Sequence, residues 1–216
     1  MTAQSRQSAA PHCWIFDLDG TLTLPQHDFD AIRSALGIPR GEPILEYLAT
    51  LPTSDAAILS ARLDDMEAEL AIASLPQPGC AELLHDLTDA GHRLGILTRN
   101  TRLNALRCLE RLSVAHLFEP DCVLGRAEAP PKPDPGGILQ LLARWRATPM
   151  TATMVGDFRF DLEAGRRAGV ATVHFDPSAA FAWPELTDRC IRCLTELSPL
   201  AAGRKMNGAQ TGENHG

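Results

Sequence analysis

Short apolar runs alternate with helical patterns along most of this chain. Residues 13–16, 93–97, 122–124, 151–155 and 170–175 are short and apolar, often β-branched, and bounded by turn residues, so they read as strands. Between them, apolar positions recur at helical spacing. Ile138, Leu141, Leu142 and Trp145 fall at i, i+3, i+4 and i+7 within 136–146, and Leu83, Leu84 and Leu87 make a similar face ahead of Gly91. Strands that alternate with helices pair in parallel and carry the helices on both sides. The pattern predicts a Rossmann-like three-layer α/β core.

One stretch breaks the alternation. Residues 25–75 carry no strand signal and divide into helical patterns at 28–36, 42–51 and 54–75, punctuated by Gly37, Pro52 and Pro76. Ser54 and Asp55 suit a helix start. An all-helical insert after the first strand would form a small cap over the mouth of the sheet. The expected organisation is therefore a core from 11–24 and 76–200, a cap from 25–75, and disordered polar tails at 1–10 and 201–216.

Composition sets limits on partners rather than on fold. In 216 residues, 44% are apolar and 22% charged, and the net charge is -7. An acidic chain lacks the basic surface that replaces counterions around nucleic acid, so no nucleic-acid partner is expected. It remains compatible with a small anionic ligand, because a metal ion and one or two cationic side chains can dominate a local field. No apolar run reaches transmembrane length, and the opening residues lack the apolar middle of a secretory signal. No membrane partner and a cytoplasmic location are the expectations, with the six cysteines as reduced thiols. Cys190 and Cys193 form a lone C-x-x-C that patterns as a helix, without the second ligand pair or βαβ setting that zinc or redox chemistry would want. Nothing in the pattern bears on oligomeric state.

The chemistry concentrates in Asp17-Leu18-Asp19-Gly20-Thr21, which follows the first apolar run. Carboxylates two residues apart on extended chain point to one side. They converge at the C-terminal edge of the sheet, where open α/β folds bind ligands. Gly20 allows a sharp turn there. Four fixed residues in this spacing arise by chance in on the order of one chain in a thousand.

With this segment the chain resembles the haloacid dehalogenase-like hydrolases, whose first motif is D-x-D-G-T at the end of the first strand. Three further motifs follow in the family's order. Thr98 closes the strand Gly95-Ile96-Leu97, Lys132 lies in Pro131-Lys132-Pro133 ahead of a helix, and Asp157 and Asp161 follow Val155-Gly156. The insert occupies the position of the family's C1 cap, and the likeness is greatest to the phosphoglycolate-phosphatase-like branch.

The resemblance implies a Mg²⁺-dependent phosphatase that acts on a small phosphorylated metabolite. Asp17 is the implied nucleophile and Asp19 the acid/base. Thr98 and Lys132 would bind the phosphoryl oxygens. Asp17, Asp157 and Asp161 would serve the metal, together with the backbone carbonyl of Asp19. Each role has a physical reason: a phosphate monoester repels nucleophiles until its charge is neutralised, and Mg²⁺ prefers hard oxygen ligands.

Two departures bear on the substrate. The branch usually continues D-G-T-L-x-D-S, where this chain has Leu22-Thr23-Leu24-Pro25, and Arg99 stands between Thr98 and Asn100. Arg99 and Arg40 (in the loop Gly37-Ile38-Pro39-Arg40-Gly41) are candidate specificity residues, each with the alternative of a solvated surface charge. Arg33 and Arg62 are further cationic positions in the insert. Two other functions stay open: a sugar-phosphate mutase that shares Asp17 and Asp19, and a non-enzymatic binding module on the same fold.

Overall fold

A computed structural model describes residues 11–198. The expected tails at 1–10 and 201–216, and the last two residues of the expected core, lie outside the described residues. Six strands form one parallel sheet in the order β3-β2-β1-β4-β5-β6. They are β1 (Cys13–Phe16), β2 (Arg93–Leu97), β3 (Val123–Leu124), β4 (Ala152–Gly156), β5 (Ala171–Phe175) and β6 (Arg189–Ile191).

Alternation along β1 separates the two faces of the sheet. Trp14 and Phe16 pack with Leu83, Leu84 and Leu87 of α4 (Cys80–Asp89) and with Ala105, Cys108 and Leu109 of α5 (Arg102–Arg111). Cys13 and Ile15 pack on the other side with Ile138, Leu141 and Trp145 of α6 (Gly136–Trp145) and with Ala164 and Ala168 of α7 (Arg159–Ala168). This is the expected three-layer α/β core. Order 3-2-1-4-5-6 reverses direction between β1 and β4, so a crevice opens beyond the C-terminal ends of those two strands.

Between β1 and β2 lie α1 (Phe29–Leu36), α2 (Ile44–Ala49) and α3 (Thr53–Ala73). They close over an apolar cluster of their own, with Ile32, Leu36, Ile38, Leu48 and Leu63 buried. Helix α1 is bounded by side-chain chemistry: Asp28 accepts from the Ala31 N–H, and Gly37 ends the helix in the left-handed conformation. The chain leaves and re-enters the core at one place. The Leu24 N–H donates to the Leu75 carbonyl at 2.9 Å, and the Gln77 N–H to that of Leu22 at 2.9 Å.

Several boundaries differ from the sequence reading. Helix α3 starts at Thr53 after Pro52, without a side-chain cap from Ser54 or Asp55, because a proline ahead of the first turn already fixes φ. Helix α2 is only six residues long. The Cys190–Cys193 segment is not helical: Cys190 sits in edge strand β6 opposite His174, and Cys193 follows it. Only Ile191 of β6 is buried, so the apolar signal there is too short to announce a strand. No helix among the described residues is long and apolar enough to cross a membrane.

Candidate active site

Strand β1 is buried throughout, and its pairing with β4 continues one residue past its end. The Asp17 N–H donates to the Val155 carbonyl at 2.9 Å, which sets Asp17 beside the end of β4. The chain then turns on a single acceptor. The N–H groups of Leu22 and Thr23 both donate to the Leu18 carbonyl at 3.0 Å, with Thr21 at 3.3 Å. Gly20 makes this turn possible twice over. Its φ is +91°, and a Cβ there would lie 2.4 Å from Asp157 Oδ2.

Asp157 and Asp161 come from the strand-to-helix junction after β4. Asp157 follows Gly156 directly, and Thr21 Oγ1 donates to its Oδ1 at 3.4 Å. Asp161 is the third residue of α7, where its Oδ2 accepts from the Phe158 N–H at 3.0 Å and closes the helix N-terminus. A Cβ on Gly156 would meet the Asp161 side chain at 2.2 Å, so only glycine lets these two segments approach.

Lys132 lies four residues ahead of α6, in the loop before it rather than in the helix. It is 2% exposed. Its Nζ lies 2.5 Å from Asp17 Oδ1 and 2.6 Å from Asp161 Oδ1. Burial opposes its charge, but Asp161 and Asp17 outweigh that effect and raise its pKa above the usual lysine value.

Asp19 stands apart from this cluster. Thr98, at the end of β2, presents Oγ1 3.5 Å from Asp19 Oδ2, Asn100 Nδ2 lies 3.4 Å from the same oxygen, and His27 Nδ1 is 3.9 Å from Oδ1. Burial raises the Asp19 pKa against the pull of His27, with the Asp17 charge adding to the rise. A carboxyl in that setting can hold a proton and give it up, which a solvated aspartate at neutral pH does poorly.

Asp17, Asp157 and Asp161 can each offer one carboxylate oxygen within 4.8 Å of the others. Three acids around one buried lysine leave net negative charge in a low-dielectric pocket. Burial first, then the charges of Asp17 and Asp161, push Asp157 up to about 8. Burial lifts Asp161 to about 6 against the pull of Lys132. An all-oxygen, electron-rich donor set of this kind fits a hard divalent cation such as Mg²⁺. The Asp19 carboxylate is not part of it.

The structure thus brings Asp17, Asp19, Thr98, Lys132, Asp157 and Asp161 to one cavity of about 550 Å³. Arg99 lines the same cavity. Its Nη2 contacts both Glu46 oxygens at 2.9 and 2.7 Å, its Nη1 donates to the Lys132 carbonyl, and its guanidinium lies 4.6 Å from the centre of the Phe160 ring. Arg40 lies outside it. That side chain is 88% exposed and pairs with Asp30 at 3.2 Å, beside a smaller hollow, so it takes the solvated alternative. The cavity also contains His27, Asn100, Phe158 and Phe160, which the sequence reading did not single out. Asn100 was within reach as the second residue after Thr98; His27, in the connection between β1 and α1, carried no signal.

A family model for haloacid dehalogenase-like hydrolases matches residues 23–175, a span that begins just after the Asp17–Gly20 turn. An uncharacterized hydrolase of Saccharomyces cerevisiae is 32% identical over 193 residues, covering 86% of this chain and 88% of that protein. A phosphoglycolate phosphatase of Caulobacter vibrioides is 31% identical over 184 residues, 73% of this chain and 76% of its own. Among solved structures, a hydrolase from Pseudomonas syringae shares the fold with a TM-score of 0.72 at 22% identity, over 89% of this chain and 98% of that one.

Proposed function

This chain belongs to the haloacid dehalogenase-like hydrolases, and we propose that it hydrolyses a small phosphate monoester through an aspartyl-phosphate on Asp17. The observation that supports this reading best is the division of labour among the aspartates. Asp17 is held between Lys132 and the end of β4, while Asp19, two residues on, is buried among Thr98, Asn100 and His27.

In the first step an Asp17 carboxylate oxygen attacks phosphorus as the ester P–O bond breaks. Asp19 gives its proton to the departing alkoxide, so a neutral alcohol leaves. In the second step water attacks the phosphorus of the aspartyl-phosphate, the ionised Asp19 takes the water's proton, and Asp17 returns as carboxylate with inorganic phosphate released. Lys132 and the Thr98 hydroxyl hold the phosphoryl oxygens through both steps. Mg²⁺ bound by Asp17, Asp157, Asp161 and the Asp19 carbonyl would supply charge neutralisation at the phosphoryl group. We place this chemistry in the cytoplasm, where six free thiols persist. Phosphate release from a panel of phosphate monoesters, with Mg²⁺ and with excess chelator, tests the reading. Release that chelator leaves undiminished would rule out the metal.

Asp19→Asn gives a sharper check on the acid. An amide cannot protonate the leaving oxygen, so turnover of alkyl phosphates should fall about 100-fold or more. Formation of the phosphoenzyme from p-nitrophenyl phosphate, whose leaving group needs no proton, should fall far less. Equal losses on both esters, read by pre-steady-state burst kinetics, would remove Asp19 from that role.

The acid cluster also predicts how metal and pH interact. With Asp157 at about 8 and Asp161 at about 6 against an ordinary 3.8, the metal-free folded state binds more protons than the unfolded chain across that range. Its stability therefore falls as pH rises towards 8. A divalent cation binds the ionised cluster, so the Mg²⁺-induced rise in Tm should grow between about pH 5.5 and about pH 8.5. Thermal denaturation at fixed Mg²⁺ checks this; an increment that is flat or shrinks with pH contradicts it.

A further inference from the structure

We propose that the alcohol leaving this site is uncharged and presents an apolar or aromatic face, and that phosphoesters carrying a carboxylate are poor substrates. The inference rests on the phosphomonoesterase reading above and concerns the part of the cavity beyond the phosphoryl group.

Two sets of walls bound that space. The insert contributes Ile32, Ile44, Leu45 and Leu63, and the start of α7 contributes Phe158 and Phe160. Aromatic faces stand on both sides. Phe158 and Phe160 meet edge to face at 5.2 Å, and on the insert His27 stacks on Phe29 at 5.5 Å with 15° between the planes. Such surfaces are suited to a ring or an apolar face of a ligand. A cavity of about 550 Å³ lies within the range that takes a ring-sized group, and a two-carbon acid would leave most of it unfilled.

The charges in these walls favour a neutral guest. Asp28, Asp30 and Glu67 all line the cavity. Among the described residues that line it, every lysine and arginine already has a carboxylate partner. Arg99 is taken by Glu46 and lies over Phe160, while Arg33 donates to Asp30 at 2.8 Å and to the Glu42 carbonyl at 2.8 Å. Lys132 is held between Asp17 and Asp161 at the phosphoryl end. A carboxylate entering here would meet Asp28, together with Asp30 and Glu67 that already hold Arg33, Arg40 and Arg126, and would have to displace an existing ion pair before finding a counter-charge. Burying an uncompensated charge is costly, and like charges brought together add to that cost. Relatives that act on phosphoglycolate therefore do not transfer their substrate to this pocket.

The test uses two esters of similar shape and reactivity, benzyl phosphate and 4-carboxybenzyl phosphate, with the full-length wild-type chain and Mg²⁺. The expected kcat/KM ratio favours benzyl phosphate by about 10-fold or more. Glu46→Gln removes the carboxylate that occupies Arg99 while leaving every phosphoryl-handling group in place. Glu46 is exposed on α2, and the variant's fold is checked by its Tm. The freed guanidinium should narrow the ratio by about 5-fold, the size expected for one partly exposed ion pair. A wild-type ratio at or below one overturns the inference, as does a Glu46→Gln ratio equal to wild type. No phosphate from either ester or from p-nitrophenyl phosphate would sink the phosphomonoesterase reading and this inference with it, whereas a reversed ratio sinks the inference alone.

Discussion

Asp17→Asn is expected to lower turnover by about three orders of magnitude or more while the chain stays folded. The amide keeps the size of the side chain and the backbone bond to Val155, so the β1–β4 junction is untouched. What is lost is the attacking oxygen anion, for which no neighbour substitutes: Asp157 and Asp161 are fixed by Thr21 and by the start of α7, and Asp19 is held by Thr98, Asn100 and His27. Without metal two effects oppose each other: the repulsion of Asp157 and Asp161 by Asp17 is relieved, while Lys132 loses one of its two carboxylate partners and keeps Asp161. Phosphate release, Tm and acid-quench detection of labelled phosphoenzyme together read this out. A folded Asp17→Asn variant with near-normal turnover would end the covalent mechanism.

The second large effect is on stability. Lys132→Met keeps an unbranched side chain of similar length but leaves the three carboxylates without their buried counter-charge. Breaking a buried ion pair on one side costs about 3–5 kcal/mol. Here the acids can take up protons instead, so the full loss should show near pH 8 and shrink towards pH 6, where Asp157 and then Asp161 are protonated. Mg²⁺ should restore more stability to the variant than to wild type, since it supplies charge where the lysine did. Urea unfolding at two pH values, with and without Mg²⁺, gives all four numbers. A loss below about 1 kcal/mol at pH 8 would show that the acids do not depend on the lysine.

How much of this could be read from the chain depends on the range of the interactions involved. β1, β4 and the Asp17–Gly20 turn are set by local rules, apolar runs ending in acidic residues and a glycine, and the structure has them within a residue. Edge strand β6 escaped because it is three residues long and buries only Ile191, too short a run to show a period. Arg40 and Arg99 were indistinguishable as residues. Only the fold sets Arg99 against Glu46, 53 positions away, and leaves Arg40 in solvent beside Asp30. The same holds for His27, whose neighbour Asp19 is fixed by the turn after β1 while His27 is placed by the descent into α1. Residues that belong to one segment were legible from the chain, the four motifs were joined through the family resemblance, and the partners of Arg99, Arg40 and His27 were not legible.

The hydrogen-bonded crossing at Leu24 and Leu75 has a consequence for how such a chain diversifies. Both ends of the insert meet there, 2.9 Å apart from nitrogen to oxygen, and Thr23 bridges to Pro76 alongside. None of Asp17, Asp19, Thr98, Lys132, Asp157 and Asp161 lies between those two points in the sequence. A lineage can therefore lengthen, shorten or rewrite most of some fifty residues with little loop-closure cost while those six stay in place, with His27 beside Asp19 as the position of the insert that bears on the chemistry. Selection on which molecule is accepted can thus act through the insert, while Phe158 and Phe160 keep part of that choice next to the acids that cleave it.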